Sequence, residues 1–322
     1  MAIKGSGSSL SFTEIEAEFG QNGSRSLGAY RLSQNIGSLS NLPLDSGIPT
    51  SGQIKFSDFY SKKLNIVVDC HSGGEETRKS AKNDKWNNNN LTVVGGFRSK
   101  KEGGSKIIIN INKKFCSDKS NVAHCALKTG SWDATAVVQV DVGSSGSILG
   151  SGGDGGRGQN GIDGSAQAGF DGSSGLGIEV NNCTVNVASG GVVRAGFGGG
   201  GGGGGGRQVD KGEDRRASGG GGGGGAGCPP GAGGPRGSTP SLGSDGSAGS
   251  ETTGGGGCNG GNNENQAFGG SGGSGGQAQG GPGGAQGGGG ANGAAIRRTS
   301  GFSVTINNSG TIAGNTTATG VG

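Results

Sequence analysis

The stretch Gly150-Ser-Gly-Gly-Asp-Gly-Gly-Arg-Gly-Gln-Asn-Gly161 has glycine at every third position from residue 152 onward. The same spacing recurs at 169, 172 and 175 and again at 281, 284, 287, 290 and 293, and unbroken glycine runs fill 198–206 and 219–225. Three residues per turn is the repeat of the polyproline II helix, which has no internal hydrogen bonds. A glycine face lets such helices approach closely and bond backbone to backbone. The pattern predicts a glycine-rich domain of packed polyglycine helices over 143–322.

Two other structures are compatible with so much glycine. Gly/Ser-rich sequence is typical of flexible linkers, but linkers rarely run to this length or contain strand-like islands such as 177–187. A collagen triple helix needs strict Gly-X-Y and abundant proline. This chain has 7 prolines, and its glycine register shifts within a few triplets.

Composition restricts where a conventional core can form. Of the 83 glycines, 68 lie in 143–322, and the whole chain is 28% hydrophobic and 4% aromatic. A side-chain core is therefore expected only in the first half. Order in the second half must come mainly from backbone hydrogen bonds, because glycine loses more conformational entropy on folding than any other residue.

Charge and motifs exclude several function classes. The net charge is +5 over 1–142 and −1 over 143–322, too modest for a nucleic-acid partner. The glycine runs match neither a phosphate-binding loop nor a dinucleotide fingerprint, and the two histidines form no clear catalytic arrangement. We therefore expect no enzyme activity, no catalytic residue, no metal and no cofactor. The start of the chain has no secretory signal and no segment reads as a membrane span, so synthesis in a cytoplasm is expected.

The six cysteines leave their role open. They stand at 70, 116, 125, 183, 228 and 258. Zinc is conceivable because Cys70-His71 and His124-Cys125 have Cys116 nearby, but the spacing matches no common zinc motif. Small buried thiols, or disulfides formed after release from a reducing cytoplasm, are the simpler interpretations.

The N-terminus predicts a small helical module over 1–62. Ser11-Phe-Thr-Glu14 is a capping box that opens a helix over 12–19, a second short helix is expected over 26–32, and Ser57 is expected to cap a third. The apolar set is too small for a free-standing domain, so we expect it to dock onto a partner. Its members are Phe12, Ile15, Phe19, Phe56, Phe59 and Tyr60.

The middle of the chain, 63–142, predicts a β-rich domain. Runs rich in β-branched residues at 64–69, 91–94, 106–112 and 135–142 have strand length, and polar loops separate them. Four or more strands in so short a stretch suggest a small sandwich or a rolled sheet. The expected fold class is thus mostly β and irregular, with a helical module before it and the glycine-rich domain after it.

The N-terminal segments resemble a module of tailed-bacteriophage virion proteins. They are Ser9-Leu-Ser-Phe-Thr-Glu-Ile-Glu-Ala-Glu-Phe-Gly20, Ser26-Leu-Gly-Ala-Tyr-Arg31 and Ile48-Pro-Thr-Ser-Gly-Gln-Ile-Lys-Phe-Ser-Asp-Phe-Tyr60. Position 55 is Lys where that pattern usually has Ser, and Ser61 replaces its usual Gly. The layout of attachment module and glycine-rich distal domain is similar to the tail-fibre adhesins of T-even-like phages. The resemblance implies a sandwich of polyglycine helices whose intervening loops touch the host receptor.

Interruptions of the glycine pattern are the candidate contacts. The segment 207–218 separates the two longest runs and is dense in both charge signs, and 235–240 and 262–268 are further interruptions. Loops pinned at both ends make preorganised surfaces, although charged loops can also serve only solubility. The candidates are Arg207, Asp210, Lys211, Arg215, Arg216, Arg236, Asn262 and Phe268.

These patterns and resemblances together predict a bacteriophage virion protein located in the tail. The first hypothesis is an adhesin of the fibre or baseplate that recognises a bacterial outer-surface protein or glycan. The alternative is a purely structural baseplate, neck or fibre-joining protein. A third hypothesis is a non-viral extracellular glycine-rich structural protein, against which the N-terminal module argues. In the first two, other phage tail proteins are the expected partners.

Overall fold

The computed structural model describes residues 3–19, 26–31, 33–36, 39–43, 47–70, 79–80, 104, 106–117, 121–161, 163–238, 243–261 and 287–322. Its N-terminal part contains helix α1 (Phe12–Phe19), the 3₁₀ turns Leu27–Arg31 and Phe56–Phe59, and the antiparallel pair β1 (Ser33–Ile36) and β2 (Leu39–Pro43). Within the described ranges, no helix is long and apolar enough to cross a membrane.

Three parallel sheets form the body of the chain. Sheet 1 contains β3 (Asn65–Cys70), β5 (Lys106–Ile111), β8 (Val137–Val142), β11 (Cys183–Val187) and β16 (Val304–Asn308). Sheet 2 contains β6 (Lys114–Cys116), β9 (Ser147–Leu149), β12 (Val192–Arg194) and β17 (Thr311–Ala313). Sheet 3 contains β4 (Lys79–Ser80), β7 (Cys125–Lys128), β10 (Ser174–Ile178), β15 (Ile296–Arg298) and β18 (Ala318–Thr319). The strands of the three sheets alternate along the chain, which makes a parallel β-solenoid.

The solenoid core is filled by alternate strand residues. In β8, Val138, Val140 and Val142 are buried while the residues between them are partly or fully exposed, as the period of two in a strand requires. The same core cluster includes Ile15 and Phe59. The N-terminal module therefore packs onto the solenoid and shares its core.

Strand pairing differs from the sandwich predicted for 63–142. β8 pairs in parallel with β5 on one side and with β11 on the other, and β11 pairs with β16. The sheets thus continue past residue 142, where the domain boundary was predicted. Strand propensity located β3, β5 and β8 to within two residues, but it carries no information about which strands pair with each other. The predicted strand at 91–94 lies outside the described residues.

The N-terminal helices agree with the sequence in most details. α1 spans the predicted residues, and Ser11 and Glu14 form the capping box, with the Ser11 N–H donating to Glu14 Oε2 at 2.8 Å. The second helix is the shorter turn Leu27–Arg31. The third begins at Phe56, with Lys55 preceding it, so Ser57 is not its cap. Asp58 supplies the capping acceptor there, since the Lys55 N–H donates to Asp58 Oδ2 at 2.7 Å.

Long extended segments without helix or strand pairing project from one corner of the solenoid, between sheets 2 and 3. Outgoing segments are 150–159, 195–205, 229–237 and 253–261, and returning segments are 165–173, 218–228, 243–250 and 287–294. We call these the glycine segments.

Hydrogen bonds between the glycine segments recur at every third residue. The N–H groups of Gly152, Gly155 and Gly158 donate to the carbonyl oxygens of Pro229, Ala232 and Pro235 at 2.8–2.9 Å. The intervening N–H groups of Gly153, Gly156 and Gln159 donate to Phe197, Gly200 and Gly203 at 2.8–2.9 Å. Backbone bonds in two directions thus hold segment 150–159 between two neighbours.

Close backbone approach requires glycine along these segments. A Cβ built on Gly155 would overlap the carbonyl group of Gly222, and one built on Gly222 would overlap that of Gly200. Because the obstructing atoms are backbone atoms, no side-chain rotation could relieve such an overlap.

The mostly β and irregular class predicted from the sequence is confirmed for the described part of the chain.

Candidate functional site

The loops of the glycine segments gather at their distal end, away from the solenoid. The turn 160–164 joins the first outgoing and returning pair. A hairpin of β13 (Gly206–Asp210) and β14 (Glu213–Ala217) joins the second. Residues 236–238 and 243–245 approach the same end, where the Ser238 N–H donates to Asn160 Oδ1 at 2.7 Å. We call the described residues of 160–164, 206–217 and 236–245 the distal surface.

The hairpin turns at Lys211 and Gly212, both with positive φ (49° and 84°). Positive φ at both central residues of a two-residue loop matches the right-handed twist of paired strands. Gly212 adopts a positive φ without steric cost because it has no Cβ, whereas Lys211 has a Cβ and adopts a positive φ despite it. The turn places Lys211 at the tip of the hairpin, where it is exposed.

Ion pairs fix the hairpin internally and to the neighbouring turn. Asp214 accepts from Arg207 Nε and from Arg216 Nη2, both at 2.9 Å. Arg216 Nη1 also lies 3.1 Å from Asp163 Oδ2 in the turn 160–164. Arg216, together with Arg207, holds the pKa of the Asp214 carboxyl below its usual range.

The remaining arginines of the distal surface also have acidic partners. Arg215 Nη2 lies 2.7 Å from Glu213 Oε2. Arg236 donates its backbone N–H to Asp245 Oδ1 at 2.9 Å and its Nη1 to the Gly243 carbonyl at 3.3 Å. These arginines are engaged in local structure. Val209, which is 59% exposed, and Lys211, which is also exposed and makes no ion pair with any described residue, are instead not engaged by such pairs.

The structure thus brings together Arg207, Lys211, Arg215, Arg216 and Arg236 of the predicted contact residues, and it places Asp210 at the end of β13. Asn262 and Phe268 lie outside the described residues. Sequence reasoning missed Asp163, Asp245 and Val209. No local pattern marks the two acids, because each stands between glycines of regular spacing, Gly161 and Gly164 for Asp163 and Gly243 and Gly246 for Asp245.

The predicted docking residues separate into two groups. Ile15, Phe19 and Phe59 are fully buried in the chain's own core, so they cannot contact a partner. The prediction overlooked that the solenoid itself could complete the core of the module. Phe12 and Phe56 are only partly buried, and their rings meet edge to face with centroids 4.9 Å apart. Tyr60 is partly buried, and its hydroxyl donates to the Ser8 carbonyl at 2.6 Å.

The base of the glycine segments is fastened to sheet 2. A disulfide joins Cys116 of β6 to Cys228, between segments 218–228 and 229–237. Lys114 Nζ lies 2.6 Å from Glu251 Oε2, and Arg194 Nη1 donates to the Glu251 carbonyl at 3.1 Å. Because Cys116 is part of a disulfide, it cannot be a ligand in the zinc site considered above.

Burial raises the pKa of the Cys125 and Cys183 thiols to about 12, so both are protonated near neutral pH.

Comparison with known proteins decides the family. Residues 75–317 match the family model described as the phage tail fibre adhesin Gp38. The chain belongs to this family. It is therefore a bacteriophage tail fibre adhesin that serves host recognition, and its place is the virion tail.

One solved structure is similar over nearly the full length. It is the gp37-gp38 adhesin tip complex of the bacteriophage S16 long tail fiber, with 20% sequence identity and a TM-score of 0.38. The similarity covers 98% of this chain and 99% of the S16 chain. No curated protein sequence matches the chain.

Proposed function

We propose that the distal surface binds the host receptor, a bacterial outer-surface protein or glycan, and that the N-terminal module docks onto another tail fibre protein. The observation that carries the proposal is the segregation of the connections. Every described connection that interrupts the glycine pattern with charged side chains lies at the end of the glycine segments away from the solenoid, onto which the N-terminal module packs. The exception is the connection at Glu251, which contacts sheet 2. An adhesin needs this separation between its attachment end and its contact end.

The glycine segments act in this proposal as rigid polyproline II helices. Three facts support that conformation: the three-residue hydrogen-bond repeat, the absence of positive φ throughout the fully described runs 198–206 and 219–225, and the overlap that a Cβ would cause at glycines such as Gly155 and Gly222. A polyproline II helix rises about 3.1 Å per residue. Segment 150–159 would then hold the distal surface roughly 30 Å from the solenoid.

The role is non-enzymatic. Membership in an adhesin family points to a structural task, and the distal surface combines ion-paired side chains with exposed backbone turns. Preorganised loops of this kind contribute to affinity by reducing the entropy lost on binding.

The receptor proposal is tested by removing two exposed side chains of the hairpin that make no ion pair with any described residue. The variant Val209→Ser with Lys211→Ser leaves every arginine–carboxylate pair intact. We expect the purified protein to bind host cells at least about tenfold more weakly, because exposed anchors at the centre of a contact carry most of its energy. Val137→Ser, on the solenoid and 47% exposed, is the matched control. Equal binding by the two variants would count against the distal surface.

The docking proposal is tested on α1 and the turn Phe56–Phe59. Phe12→Ser with Phe56→Ser removes the partly exposed aromatic pair and leaves the buried core in place. We expect fewer fibres to carry the protein after assembly in an infected cell, scored by antibody labelling of purified particles. Thr13→Ser on the exposed face of α1 is the control. Normal incorporation of a folded Phe12/Phe56 variant would exclude docking through this pair.

A further inference from the structure

The outer face of sheet 1 carries a polar ladder away from the distal surface. Asn110, Asp141, Asn186 and Asn307 occupy the same register on β5, β8, β11 and β16. Neighbouring strands lie about 4.8 Å apart, so the ladder spans roughly 14 Å. These four residues line a groove of about 440 Å³, which lies within the size range of small-ligand sites.

Hydrogen bonds orient the side chains of the ladder. Asn307 Nδ2 donates to Asn186 Oδ1 at 2.8 Å, and Asn186 Nδ2 donates to Asp141 Oδ1 at 2.6 Å. Gln139 Nε2 donates to both oxygens of Asp141, at 2.9 and 2.8 Å. Each amide has two N–H donors. Among the described residues, these bonds leave one donor on Asn186 and one on Asn307, each held in a fixed direction.

The groove is closed at one end and open at the other. Asn110 is 1% exposed, Asp141 and Asn186 are half-buried, and Asn307 is exposed. Ala188, which is exposed, adds apolar surface to the lining. None of the described residues that line the groove is basic. An anionic ligand would therefore meet the Asp141 carboxylate without a compensating cation.

We propose that this groove binds a neutral, linear glycan that runs across the strands of sheet 1. Sugar hydroxyls can accept from the free amide donors and donate to the Asp141 carboxylate, while the C–H face of a sugar ring packs on Ala188. The rung spacing of the ladder is close to the length of one pyranose unit in an extended chain. Successive sugars can therefore meet the accessible rungs at Asp141, Asn186 and Asn307. This contact would hold a surface polysaccharide along the solenoid, independently of the distal surface.

The test is glycan binding by the full-length protein. The probes are an array of neutral oligosaccharides built from glucose, galactose, mannose or rhamnose, with sulfated and sialylated oligosaccharides for comparison, followed by calorimetric titration of the best binder. We expect a neutral oligosaccharide to bind, and Asn186→Ala and Asn307→Ala each to weaken binding about tenfold, because each removes a fixed amide with its hydrogen bonds.

Two control variants distinguish binding in the groove from binding elsewhere on the protein. Thr305→Ala changes the same outer face of β16 two residues from Asn307, and it should bind as the unmodified protein does. The Val209→Ser, Lys211→Ser variant should also bind normally, so failure of the receptor proposal leaves this test intact. Asn307 is exposed, so its replacement tests the groove even where Asn186→Ala perturbs folding. Binding of only charged oligosaccharides, no binding at all, or undiminished binding by Asn307→Ala would overturn the proposal.

Discussion

The solenoid and the glycine segments both hold extended backbone in a fixed arrangement, but one does so with large apolar side chains and the other with almost no side chains. Both line up extended backbone in hydrogen-bonded rows. The solenoid fills the space between its rows with valine, isoleucine, leucine and phenylalanine, so its stability is expected to come mainly from apolar burial. The glycine segments leave no such space, because each approaches the backbone of its neighbours. We therefore expect the two regions to tolerate different substitutions. Enlarging a residue should be most damaging in the glycine segments, whereas shortening a side chain should be most damaging in the solenoid core.

The largest effect is expected from a single methyl group in the glycine segments. Gly222→Ala places a Cβ against the backbone of Gly200 and Gly201, which cannot move without breaking adjacent hydrogen bonds. We expect a loss of about 3 kcal/mol or more in the free energy of unfolding. Thermal unfolding followed by circular dichroism measures it.

Gly288→Ala is the matched control for that substitution. A Cβ at Gly288 meets nothing within 4 Å, so we expect stability unchanged or raised by about 0.5 kcal/mol. Similar melting temperatures for Gly222→Ala and Gly288→Ala would refute the close-packed description of the segments.

An intermediate effect is expected from truncation in the solenoid. Ile109 is fully buried in β5, and Ile109→Ala should destabilise by about 3 kcal/mol through lost burial and a residual cavity. Val137→Ala in β8, at an exposed position, should cost less than about 0.5 kcal/mol. Chemical denaturation of both variants checks the difference, and equal midpoints would contradict a side-chain core.

The smallest effect is expected from the charges of the distal surface. Asp214→Asn removes the ion pairs to Arg207 and Arg216, but surface pairs contribute little to stability. Because folding lowers the pKa of Asp214, its contribution is present above the unfolded-state pKa and is lost as the pH falls through the folded-state value. We expect no measurable change in melting temperature at neutral pH. A shift of several degrees would show that the hairpin supports the glycine segments.

Local features of the fold were predictable because they depend on neighbouring residues. The capping box at Ser11 and Glu14 defines α1, and β-branched runs locate β5 and β8. The period of three glycines anticipated the spacing of the hydrogen bonds between segments. The hairpin loop 207–218 was recognisable as a pinned connection because glycine runs flank it.

Features that depend on distant pairing were not predictable from one sequence. β11 was seen as an island in the glycine-rich half, yet it is a central strand of sheet 1 between β8 and β16. The burial of Phe19 and Phe59 follows from the solenoid packing against the module, which no local pattern records. The pairing of Arg216 with Asp163 was also hidden, because the two residues lie 53 positions apart in sequence.

The bond between Cys116 and Cys228 has a mechanical consequence. It joins residues 112 positions apart and connects β6 directly to the base of the glycine segments. If the particle pulls on the N-terminal module while the distal surface holds a cell, the tension has two parallel routes. One route follows the backbone from β12 into segment 195–205, and the other enters the glycine segments at Cys228 through the disulfide. The adhesin can therefore bear a sustained pull at its base even while individual hydrogen bonds of the segments open and close.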